Sequence, residues 1–279
     1  MREVRAVWAL LAVDAVVTAI TYARLPAAQL YNVSGSGPRG GLSRLVVELN
    51  FPDALIALAV LGILAPFLAP RLRALAALAG VLCAIVVLPG VVSQNELDAK
   101  WVNAAPAVGV GLTLVLIALA RVPSSLRCAR GDRLRVVIGA LLVVIGAPWI
   151  AAALGFYLDG VPVLGWLYQT GKLTSFHNPL HHAVHHGIHH GLQGLIFALV
   201  ALLLSRVPNR VSLYLALLLA FGVANMANDG WLEQVVERGW SSTTIPSVLG
   251  FSANWLWLGV LLTAPAIWAL WFRWDAEAP

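Results

Sequence analysis

Charge is what this chain lacks most. Only 11% of its 279 residues are Asp, Glu, Lys or Arg, against about 25% in soluble domains. By contrast 60% are hydrophobic, and the mean hydropathy is +0.83. That balance excludes an ordinary soluble domain and points to a polytopic membrane protein. Cysteine is scarce too: Cys83 lies in an apolar run and Cys128 in an arginine-rich stretch, which argues against a disulfide framework. The formal charge of +5 is spread over short connections rather than gathered into a basic patch, so nucleic acid is not an expected partner. There is no HExxH motif and no serine or cysteine nucleophile constellation.

Histidine is missing from nearly the whole chain. All seven histidines fall within residues 177–190, at the head of an apolar run. The tract reads His177-Asn-Pro-Leu-His181-His182-Ala-Val-His185-His186-Gly-Ile-His189-His190. Imidazole is the commonest metal ligand and titrates near neutral pH. Such a concentration on a membrane segment needs a chemical reason.

A helix needs about 20 residues to cross the hydrocarbon core. On that rule the expected fold is all-α, a single bundle domain over 1–279 with about eight transmembrane helices. The spans are expected near 6–25, 53–70, 74–93, 104–121, 136–157, 180–205, 211–228 and 253–273. The first is read as an uncleaved span, because Asp14 interrupts its apolar core and Tyr22-Ala-Arg24 is a poor cleavage site. Eight spans put both termini on one side. That side carries 12 of the 18 lysines and arginines, including Arg2, Arg5, Arg71, Arg73, Arg206 and Arg273. The positive-inside rule then makes it cytoplasmic, in a cell-membrane protein.

Acidic residues follow the opposite bias. Glu48, Asp53, Glu96, Asp98, Asp159, Asp229, Glu233 and Glu237 fall at the outer surface or outer helix ends, and Asp14 alone inside a span. The inner half is plain hydrocarbon flanked by arginine. Function is therefore expected at the outer face. The glycine-rich stretch 31–44 carries Arg39 and Arg44 and lacks both the phosphate-loop and dinucleotide patterns; it reads as a connector.

The apolar run 191–205 covers about 22 Å at 1.5 Å per residue, short of a core of about 30 Å. A span there must borrow residues from the histidine side. On a helix, His181, His185 and His189 form one i, i+4, i+8 row, and His182, His186 and His190 the next. Such spacing brings two imidazoles to one ion. The opposite face carries Ala183, Gly187, Gly191 and Gly194, a small-residue stripe suited to close helix packing. Asp14, at comparable depth, and Asp229, at the outer end of the next span, are the expected carboxylate partners. The expected cofactor is a divalent transition metal: Zn, Fe or Cu.

The pattern His182-x-x-His185-His186, repeated as His186-x-x-His189-His190, resembles one histidine box of the membrane fatty-acid desaturases and hydroxylases, which hold a di-iron site. The resemblance covers these few residues only. That family distributes its boxes over several segments, whereas no other segment of this chain contains histidine.

Three functions compete. An enzyme with a metal centre open to the outer leaflet would act on a lipid or another hydrophobic substrate. A metal transporter needs a polar route through the inner half, where the sequence offers little. A metal-handling or pH-sensing protein would use the histidines as a switch. The first is the reading favoured by the outward bias of polar residues.

Overall fold

The computed structural model describes residues 2–24, 37–92, 98–120, 131–154, 156, 158–167, 173–174, 181–182, 191–207, 210–236, 238–249 and 252–273. Its long elements are helices: α1 (Arg2–Arg24), α2 (Gly37–Leu64), α3 (Pro70–Ala84), α4 (Ala104–Leu119) and α5 (Asp132–Leu154). There follow a four-residue turn α6 (Leu164–Leu167), then α7 (Gly191–Leu204), α8 (Ser212–Trp231) and α9 (Trp255–Ile267). Wide π-helical turns extend α8 through Leu232–Val236 and α9 through Trp268–Phe272. Among the described residues, seven helices are long and apolar enough to cross a membrane. The protein is thus a helical membrane bundle.

The eighth expected span takes a different form. Its helix is α7, 14 residues from Gly191, about 21 Å long at 1.5 Å per residue. Upstream, the backbone of His181 and His182 is extended and pairs antiparallel with Leu173 and Thr174. A helix beginning at 180, with His181 and His182 heading two i+4 rows, is therefore corrected. The sequence pattern 3.6 is available to these residues, but the ladder satisfies their backbone groups instead.

The second expected span also shifts. Helix α2 starts at Gly37, well before the expected 53, so the supposed connector is largely helical. Gly40, Arg44, Val47 and Glu48 are buried on it. This is an i, i+4, i+7, i+8 stripe that the glycines disguise. Pro52 sits inside α2 and withholds the N–H that would bond the carbonyl of Glu48. The side-chain amide of Gln193 fills the gap, donating to Glu48 O at 3.1 Å.

Helix α7 is the hub. All its residues except Leu199 and Leu203 are buried, and it packs against α8, α5, α1 and α2. Its contact with α8 depends on two facing glycines. A Cβ on Gly194 would stand 2.6 Å from Gly222 O, and one on Gly222 2.5 Å from Gly194 O. Only hydrogen fits on either side. One turn further, Phe197 meets Phe221 (5.5 Å between centroids) and Phe51 (6.1 Å). Trp257 packs its ring against Phe221 at 5.7 Å, tilted by 33°.

Two polar clamps hold the periphery. At one end Thr21 Oγ1 and Arg24 Nη1 donate to Ala153 O, the last turn of α5, at 2.9 and 3.0 Å. At the other, Arg206 joins Asp132 (3.0 Å) and Glu3 (3.5 Å), while Arg135 Nε donates to Ser205 Oγ at 3.0 Å. These bonds tie α1, α5 and the α7–α8 turn together.

Candidate functional site

Where α7 begins, several buried polar groups converge. The first four N–H groups of a helix have no partner within it. Here the N–H of Gly191 donates to Asp229 Oδ2 at 3.2 Å. Asp229 lies one residue before Gly230 near the end of α8 and is fully buried. Its carboxylate faces the positive end of the α7 dipole, a favourable placement.

Trp149 of α5 closes the same corner. Its indole rests so close to Gly191 that no Cβ would fit between them. Its Nε1–H donates to Glu233 Oε2 at 2.7 Å. A buried indole N–H generally finds an acceptor, and here the acceptor is a carboxylate on the π-helical turn after α8. Glu233 is buried. Its four-residue spacing from Asp229 keeps it on the same face of the helix.

One turn along α8 from Asp229 stands Asn225. It is fully buried, and neither atom of its amide group finds a hydrogen-bond partner among the described residues. Buried amides are nearly always satisfied, so this side chain marks a place where something polar belongs. Asn225 and Asp229 form an i, i+4 pair on one face of α8.

A second polar group lies on α1 and α2. Arg44 Nη2 pairs with Glu48 Oε1 at 3.1 Å, and both side chains are buried. Tyr22 Oη accepts from Arg44 Nε and donates to Glu48 Oε1, each at 2.9 Å. Arg44 is therefore committed to an internal pair, which corrects its placement on an exposed connector. Asp14, 4% exposed, interacts electrostatically with Glu48 and Asp53.

The two carboxylates expected at the site thus have different surroundings. Asp229 contacts the residue that follows the histidine tract. Asp14 is grouped with the α2 acids. Of the expected imidazoles, His185, His186, His189 and His190 lie outside the described residues, as does His177, and only the backbone is described for His181 and His182. Among the described residues no group of three or more His, Cys, Asp or Glu side chains is arranged to hold a metal ion. Trp149 and the Arg44–Glu48 pair were not singled out from the sequence, and Glu233 was named there only among the outer acidic residues. The alternation of Asn225, Asp229 and Glu233 at four-residue spacing is the signal that reaches Glu233.

No protein-family profile, curated protein sequence or solved structure matches this chain.

Proposed function

We propose that this membrane protein holds a transition metal between its histidine tract and carboxylates of α8, facing the extracytoplasmic leaflet. In this reading it is a metal-dependent enzyme acting on a lipid or another hydrophobic substrate. One observation carries the proposal: Asp229 Oδ2 accepts from the N–H of Gly191, the residue bonded to His190. Consecutive Cα atoms are about 3.8 Å apart, so Asp229 is anchored within side-chain reach of His190. Glu233, held by Trp149, adds a second carboxylate on the same helix, and the orphaned amide of Asn225 a third oxygen donor nearby.

The donor set suits Zn, Fe or Cu, which accept imidazole nitrogen with carboxylate oxygen. Such an ion supplies an activated water for hydrolysis, or redox chemistry if it is iron or copper. The protein's own part is to fix the acids. Gly191 orients Asp229, and Trp149 orients Glu233. Their charge also offsets the positive end of α7, which otherwise repels a cation. Apolar walls from α5, α7 and α8 exclude water below.

Elemental analysis of untagged protein tests the reading. The expected result is about one metal per chain, lost in His186→Ala and in Asp229→Asn. Less than about 0.2 metal per chain, unchanged in His186→Ala, overturns it.

A second reading draws on the place of the site. Transporters build ion sites at helix ends, and Asp229 accepts from the first described N–H of α7. A metal-ion transporter or a metal- or pH-responsive protein would share the same ligands. Metal uptake into sealed proteoliposomes separates transport from catalysis. The apolar packing of Ile196, Phe197, Val200 and Leu204 below the site favours the enzyme.

A further inference from the structure

The stretch between α5 and the histidine tract has an unusual turn. Pro162 O accepts from Leu164 N–H at 2.8 Å, across a single residue. That residue, Val163, has φ 68° and is the only non-glycine residue with positive φ among the described residues. The geometry is a γ-turn of the rare positive-φ kind. A β-branched residue is the least suited to it, and glycine would occupy it without strain. Strain kept in a loop calls for a function of the side chain it presents.

The turn presents Val163 outward, 71% exposed. Around it Phe156, Val161, Leu164, Trp166 and Leu167 are exposed as well. No element of the described fold covers them. The far end of the stretch is fixed by Arg238, whose guanidinium donates to Trp166 O (2.9 Å) and Leu167 O (3.0 Å). Those are the terminal carbonyls of α6, which have no helical partner. Arg238 also donates to Gln234 Oε1 at 2.9 Å and lies 4.8 Å from the ring of Trp240. The apolar surface is thus pinned at its Leu167 end.

We propose that residues 158–167 form a membrane anchor, with Val163 and Trp166 inserted into the lipid interface at the α7-start end of the bundle. The occupant is lipid because the stretch extends a span apolar enough to cross the bilayer. Helix α5 exposes Val136, Val137, Leu141, Val144 and Ile145 in its first four turns. The stretch follows its opposite end, where Leu154 and Phe156 are exposed. Tryptophan beside an arginine is the composition of a bilayer interface, and exposed apolar patches of this kind mark membrane contacts.

The test uses the full chain in phosphatidylcholine/phosphatidylglycerol vesicles, with Cys83→Ala and Cys128→Ser as background. A fluorophore is placed on Val163→Cys, Trp166→Cys or, as an aqueous control, Ser242→Cys. Nitroxide-bearing lipids are expected to quench the first two severalfold more than the third, from a depth of about 5–10 Å. Aqueous iodide is expected to do the reverse. Val163→Gly suits the turn while deleting its apolar tip, so it should raise iodide quenching at position 166. Iodide quenching at 163 and 166 equal to that at 242 overturns the proposal. So does energy transfer between labels that persists when vesicles are diluted with excess lipid, which would show a second copy covering the surface.

Discussion

The side-chain amide of Gln193 donates to the backbone carbonyl of Glu48 at 3.1 Å, where Pro52 leaves that carbonyl without its helical donor. A proline in α2 is thereby coupled to the first turn of α7. Gln193→Leu should cost about 1–3 kcal/mol, the usual penalty for a buried polar group left unsatisfied. In a Pro52→Ala background the cost should fall sharply, since the alanine N–H supplies the missing bond. A double-mutant cycle on unfolding in bicelles measures this coupling. Equal costs in both backgrounds would show that the two residues act independently.

Asp229 serves as a helix cap whatever else it does. Asp229→Ala should lower stability by about 1 kcal/mol, as for other lost caps. Asp229→Asn keeps an acceptor for Gly191 and should cost less. Metal content is expected to fall in both variants alike. Parallel thermal melts and metal determinations separate the capping role from the ligand role.

The facing glycines of α7 and α8 leave no room for a methyl group. Gly222→Ala places a Cβ 2.5 Å from Gly194 O, against backbone that cannot rotate away. A loss of about 1–3 kcal/mol is expected from such overpacking, together with widened separation of the two helices. Melting temperature and cross-linking between engineered cysteines on α7 and α8 report on each. An unchanged melting temperature would mean that the helices are less tightly held than their geometry indicates.

The ion network around Asp132 should contribute little by comparison. Its side chain is 28% exposed, as is that of Arg206 at 29%, so solvent screens the 3.0 Å pair. Asp132→Asn is expected to cost less than about 1 kcal/mol, and less again as salt is raised. A large, salt-independent loss would instead reveal that Arg135, buried beneath it, relies on that carboxylate.

The membrane class was legible from composition because a low charge fraction leaves few alternatives. Most spans were legible because apolar run length maps directly onto bilayer thickness. Helix α2 was harder: glycine content around Gly37 and Gly40 argues for a connector, and only tertiary burial of Arg44 and Glu48 reveals the helix. Asp229 could be placed beside the end of the tract because α7 and α8 share a short turn. Glu233 continues the four-residue spacing of Asn225 and Asp229, which places it on their face of the helix, but its hydrogen bond to Trp149 is not written in that spacing. Trp149 lies far from its partners along the chain, and one sequence carries no trace of that contact.

The cap of α7 has a bearing on how the chain enters the bilayer. The group that holds the Gly191 N–H of α7 is borrowed from Asp229, near the end of α8. While the chain emerges from the ribosome, Gly191 precedes its acceptor by most of a helical hairpin. Helix α7 is therefore expected to be released into the membrane only together with α8, as a pair. Truncation after Val211 should leave α7 unintegrated, and truncation after Glu233 should restore it.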